Sequence, residues 1–123
     1  MIKKIDHFVI TTEKPKECIE FYKKLGFTSQ DAGGRYELFA GDFKINVHIQ
    51  GQELLPHAQN IQVGSADFCF EVTDSIEELY KQLKLKNIDI ELGIVERHGV
   101  QGKMKSIYLR DPDMNLIEFC SYQ

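Results

Sequence analysis

The sequence runs through one order of elements twice, and that repetition limits the fold more than any single motif does. In the first copy, residues 4–12 read as a strand, and a helix follows "EKP". Its apolar residues Cys18, Phe21, Tyr22 and Leu25 keep the i, i+3, i+4, i+7 spacing of one buried face. Pro15 suits the first turn, and Gly26 suits the position just past the end. Three strands follow, over 27–30, 35–40 and 43–50, parted by turns that carry "DAGG" and "GD". The second copy opens with a strand over 66–73. Asp74 or Ser75 caps its helix, with Glu77 or Glu78 placed for a capping box. Ile76, Leu79, Tyr80 and Leu83 form the buried face, and strands follow near 88–92, 104–110 and 115–122.

The helical faces superpose at an offset of 58 (18 onto 76), the first strands at 60 (7 onto 67) and the last strands at 70 (48 onto 118). The growth in offset places an insertion in the second copy, most simply in "GIVERHGVQGK". The expected fold is α+β: two tandem βαβββ units forming a curved, partly open eight-stranded sheet with helices on its convex side. One domain spans 1–123, with repeat 1 over about 1–50, a linker over about 51–64 and repeat 2 over about 65–123.

Composition narrows the function classes. A formal charge of -4, with basic residues scattered along the chain, argues against nucleic acid or an anionic membrane as partner. No apolar stretch has the length of a signal segment or a bilayer span. The cysteines at 18, 69 and 120 match no zinc-ribbon or redox spacing, so they are expected as reduced thiols in a cytoplasmic protein.

Side chains alternate along a strand, so parity sorts the chemistry. In the first strand Phe8 and Ile10 oppose His7; in "DFCFEV" Phe68, Phe70 and Val72 oppose Asp67. In "KINVHI" the residues Ile45, Val47 and Ile49 oppose Lys44, Asn46 and His48; in "LIEFC" Ile117 and Phe119 oppose Glu118. Each strand thus has an apolar face for the helices and one metal-capable side chain on the other. The duplication matches His7 to Asp67 and His48 to Glu118, and a pseudo-twofold would converge the four on the concave side. Two imidazoles and two carboxylates suit a divalent first-row metal with positions open for water or substrate. Taken one at a time, a strand histidine is more often hydrogen-bonded and a final-strand Glu more often half-exposed; the coincidence of four favours a metal. His57 and His98 fall in expected loops.

The stretches "IDHFVITTEKPKECIEFYKKLGF", "GDFKINVHI", "GSADFCFEV" and "SIYLRDPDMNLIEF" resemble the vicinal oxygen chelate superfamily of glyoxalases, bleomycin-resistance proteins and dioxygenases. Within it they are most similar to proteins like glyoxalase domain-containing protein 5. The resemblance implies metal ligands at His7, His48, Asp67 and Glu118, with Asp67 standing where glyoxalase I usually has histidine. It implies one divalent ion (Ni, Zn, Mn, Co or Fe), a small-molecule substrate, a possible thiol cosubstrate and a homodimer. The activity it implies is a glyoxalase-type lyase or isomerase in which Glu118 moves a proton. The alternatives are a thiol transferase, a dioxygenase or a metal-free binding protein. Met114 replaces the usual glycine of the "DPDGN" turn.

Around this site, Ser106, Tyr108 and Arg110 share one strand face, and Lys44 and Asn46 share a face with His48. These five are the candidate substrate-binding residues. Arg110 either faces substrate or pairs with Asp111 or Asp113. The "ERHGVQGK" segment reads as a mobile lid or as a plain long loop.

Overall fold

A computed structural model describes residues 1–123. The first repeat contains β1 (His7–Thr12), α1 (Pro15–Lys24), β2 (Thr28–Asp31), β3 (Arg35–Ala40) and β4 (Phe43–Ile49). The second contains β5 (Asp67–Glu71), α2 (Ile76–Leu85), β6 (Leu92–Gly99), β7 (Gly102–Arg110) and β8 (Leu116–Ser121). Both βαβββ units expected from the repeat are present, and each closes a four-stranded sheet in the same order, β1-β4-β3-β2 and β5-β8-β7-β6. The outer strand of each repeat pairs parallel with the last one, and the remaining pairs are antiparallel. The chain divides into two compact units, Met1–Ser65 with Pro112–Met114, and Ala66–Asp111 with Asn115–Gln123.

In the first unit Pro15 opens α1 without a side-chain cap, and Cys18 and Tyr22 are its fully buried residues. Tyr22 packs edge-on against Phe27 at 5.4 Å, and Phe27 against Phe43 at 6.1 Å, a chain of rings running from helix to sheet. Leu38, Ile45 and Val47 complete this apolar side. In the second unit Ser75, not Asp74, caps α2 by accepting from the Glu78 backbone N–H at 3.2 Å. Helix α2 lies against β7 and β8, over Ile107, Leu109 and Ile117, and Lys105 reaches Glu77 of the helix at 2.6 Å.

Helix-ending hydrogen bonds revise one offset. Phe27 N–H donates to Tyr22 C=O just as Ile88 N–H donates to Leu83 C=O, so the helices match at 61 (22 onto 83). Apolar spacing at i, i+3, i+4 recurs nearly every turn, and it misled by one turn. Strand starts also shift: β1 begins at His7, since residues 1–6 are exposed and unpaired with a neighbouring strand apart from Asp6 C=O, which accepts from Lys44.

The segment expected as a loop or lid over 93–103 is instead a hairpin. Strand β6 runs from Leu92 to Gly99, beyond the 88–92 expected, and pairs with β7 as far as Gly99↔Gly102. A two-residue turn, Val100–Gln101, closes it, with Gly102 at φ +103. Gln101 N–H donates to the Tyr122 hydroxyl at 3.2 Å, and a Cβ on Gly99 would stand 2.1 Å from that oxygen. The glycine therefore marks close packing of the hairpin on Tyr122.

Two connections differ between the repeats. Gly41 and Asp42 alone join β3 to β4, whereas Asp111–Asn115 joins β7 to β8. Buried Asp111 accepts from the Asn115 backbone N–H (2.9 Å) and side-chain amide (2.8 Å), and Asn115 accepts from Ala66 N–H (2.9 Å). Asp113 takes hydrogen bonds from the Thr12 hydroxyl and from Glu13 N–H, fixing the start of α1. Met114 adopts φ +72, a conformation disfavoured for a side chain with a Cβ.

Candidate functional site

In the first unit the register puts His7 opposite Lys44 and His48 opposite Thr11 on the two parallel strands. Both histidines share a face with Lys44 and Asn46, as parity requires. They stand four residues apart along the strands, a separation of roughly 13 Å. In the second unit Asp67 lies opposite Leu116 and Glu118 opposite Cys69, only two residues apart, or about 7 Å.

These registers correct the expected matching. If His7 corresponds to Asp67, then Lys44 corresponds to Leu116 and Asn46 to Glu118, an offset of 72 (46 onto 118). With that matching, the antiparallel pair Glu37↔Asn46 answers Tyr108↔Glu118, and β3 and β7 are offset by 71 (37 onto 108). His48 then corresponds to Cys120 instead of Glu118. An offset of 70 preserved side-chain parity, which is why strand alternation alone did not expose the slip.

The corrected pair is marked physically. Asn46 Oδ1 and Glu118 Oε2 are two of the three buried side-chain polar atoms without a hydrogen-bond partner; the third is Ser106 Oγ. A buried polar atom left unpaired costs about 1–3 kcal/mol, so each calls for a ligand or a functional reason. Ser106 and Glu118 share the face that also presents Tyr108 and Arg110. Glu118 lies between the Tyr108 phenol and the Cys69 thiol, and both of these, already raised by burial, are pushed further up by its carboxylate.

The candidate substrate residues divide. Lys44 pairs with Glu37, which Arg35 also approaches at 3.5 Å, so the lysine is committed to an internal network. Arg110 grips Glu91 with contacts of 2.9 and 3.3 Å, a partner beyond the expected Asp111 and Asp113. Sequence reading passed over Glu37, Glu91 and Arg97. Arg97 was hidden because its segment read as a loop; as a strand, its parity puts it beside Met104, on the face of Ser106 and Tyr108. His98, also expected in a loop, lies in β6, and His57 is exposed with its Nδ1 at 2.8 Å from Ala58 O.

The donor chemistry fits a divalent cation. His7 Nδ1 stands 2.7 Å from the Asp6 carboxylate, the partner that leaves Nε2 as the metal-facing nitrogen in carboxylate–histidine pairs. Burial, then Arg35, holds the His48 pKa below its ordinary value. Glu118 and Asn46 each contribute an unpartnered oxygen. No three His, Cys, Asp or Glu side chains are gathered closely enough to hold an ion.

Paired βαβββ units, each carrying a polar face opposite its helix-packed face, define a protein of vicinal-oxygen-chelate type. Residues 4–119 match the Glyoxalase/Bleomycin resistance protein/Dioxygenase superfamily, and the chain belongs to it. It is 44% identical over 123 residues to glyoxalase domain-containing protein RDO1 of Mycosarcoma maydis, covering 99% of this chain and 70% of that one. The crystal structure of virulence protein STM3117 from Salmonella typhimurium superposes with a TM-score of 0.96 at 40% identity, covering 100% of this chain and 99% of that one. A lactoylglutathione lyase from Agrobacterium tumefaciens shares the fold, with a TM-score of 0.76 at 18% identity over 98% of this chain and 95% of that one.

Proposed function

We propose that this protein is a metal-dependent lyase or isomerase of glyoxalase type, acting on a small carbonyl compound or its thiol adduct. The observation that carries this reading is Glu118 Oε2, buried and without a partner on a polar sheet face. The ligand set comprises His7, Asp67 and Glu118, with a fourth place shared between His48, named by sequence, and Asn46, named by register. When bound, a divalent ion would polarise the substrate carbonyl and stabilise the negative charge that develops beside it.

The chain's own groups supply the rest. Glu118 carries the proton between neighbouring carbons, Tyr108 orients its carboxylate, and Asp6 sets the tautomer of His7. Ser106 hydrogen-bonds the substrate. The protein is proposed to work as a cytoplasmic homodimer, consistent with three free cysteines. A metal-free binding role is the second reading, in which the unpartnered Ser106 hydroxyl and Glu118 oxygen meet a bound ligand directly.

Metal analysis of purified wild type, beside Glu118→Gln and His48→Ala, is the deciding experiment. Wild type is expected to retain a divalent ion and Glu118→Gln to lose most of it. Absence of metal from the wild type would leave the binding role standing. Turnover of methylglyoxal with a panel of thiols comes next, and no activity with any metal or thiol would end the lyase assignment.

A further inference from the structure

Arg97 is held in place yet carries no carboxylate partner. Its Nε–H donates to the Tyr108 hydroxyl at 3.0 Å, its guanidinium lies 5.4 Å from the centre of the Tyr108 ring, and an Nη1–H donates to Glu96 C=O at 3.0 Å. The neighbouring acid, Glu96, points to the opposite face by parity and approaches Lys103 at 3.9 Å. The other two arginines each have an acid: Arg35 meets Glu37 and Arg110 meets Glu91. In a chain with 19 acidic residues and a charge of -4, a clamped arginine without one is conspicuous.

Its surroundings are those of a receptor. Ser106, fully buried, presents an unpartnered hydroxyl on the same sheet face, two residues along β7 from Met104, the register partner of Arg97. A guanidinium braced by an aromatic ring keeps its outer N–H groups in a fixed plane, matching the oxygens of a carboxylate or phosphoryl group. We propose that Arg97, positioned by Tyr108 and joined by Ser106, forms an oxyanion subsite, so that the substrate of the reaction proposed above carries a carboxylate or phosphoryl group beside its reactive carbonyl. This rests on the glyoxalase-type reading for the identity of the reaction, and on the second sheet alone for the anion.

The same tyrosine accepts from Arg97 and stands beside Glu118 in the sheet register, where the carboxylate adds to the upward push of burial on its phenol. Anion capture and orientation of the proton carrier are thereby joined through one phenol. Tyr108 is in this respect a positioning residue, and its removal loosens both neighbours.

The test uses full-length protein stripped of metal with a chelator, titrated calorimetrically at low ionic strength with glyoxylate, inorganic phosphate and uncharged methylglyoxal. At least one anion should bind more tightly than methylglyoxal. Arg97→Gln should weaken that anion by about tenfold or more, and Tyr108→Phe by a smaller factor, while Glu118→Gln keeps it. Arg97→Lys keeps the charge without the planar fork, so partial retention is expected, and it replaces Arg97→Gln if the latter fails to fold. Anion affinity no better than that of methylglyoxal, or unchanged in the folded Arg97 variants, overturns the proposal. Because the protein carries no metal in this assay, failure of the anion subsite and failure of metal-dependent turnover are read separately.

Discussion

The two sheets descend from one plan, yet their polar faces are neutralised differently. On the first, Glu37 joins Lys44 and Arg35 in an internal network, and charge is balanced without any outside group. On the second, the position matching Glu37 is Tyr108, so a charged partner has been exchanged for a neutral phenol. Glu118, Ser106 and Arg97 are left with unfilled hydrogen-bonding capacity. An ion-paired face is built to hold a sheet together; a face with orphaned donors and acceptors is built to meet something else. The halves agree at one place, where Asn46 and Glu118 each leave an oxygen unpaired.

That contrast is open to direct attack. The largest effect is expected from Glu118→Gln, which should lower turnover by about 10²-fold or more, whereas Asn46→Ala at the matching position should cost about tenfold; steady-state kinetics on both would show whether the second sheet carries the chemistry. Equal losses would make the two faces partners of the same rank.

The connecting turns give the next comparison. Asp111→Ala removes a buried carboxylate that organises the β7–β8 turn, and should destabilise the fold by about 2–4 kcal/mol in urea denaturation. Asp42→Ala in the short β3–β4 turn removes a carboxylate 80% exposed, and should leave the denaturation midpoint nearly unchanged. Met114→Gly, which relieves the left-handed backbone in the longer turn, should raise stability by up to about 1 kcal/mol, with thermal unfolding as the readout.

The smallest effect concerns the first sheet's network and depends on pH. The hydrogen bond from Lys44, aided by Arg35, holds the Glu37 carboxyl below its ordinary 4.5. A depressed folded value means the stabilisation is present above 4.5 and is lost as pH falls through the folded value. Wild type should therefore unfold at a higher temperature than Glu37→Gln at pH 7, with the gap closing in acid. A gap that persists at pH 2 would show that shape, not charge, makes the difference.

Much of the plan was legible in the sequence. Element order, the apolar faces of the strands and the polar placement of His7, Asp67 and Glu118 all followed from periods of 2 and 3.6 that local sterics impose. The β6–β7 hairpin was not legible, because Arg97 and its neighbours are exposed on an edge strand and show no apolar alternation to betray a strand. Nor was the pairing of Arg110 with Glu91, since Glu91 lies on a separate stretch of chain that only the folded sheet brings within reach.

The sequence by itself determined that this chain is a duplicated βαβββ protein with one helix-packed and one polar face per unit. Only tertiary structure decided register, and with it that Asn46, not His48, corresponds to Glu118 in the repeat. The physical reason is that parity is preserved by any shift of two residues, whereas hydrogen-bonded pairing between strands admits a single alignment.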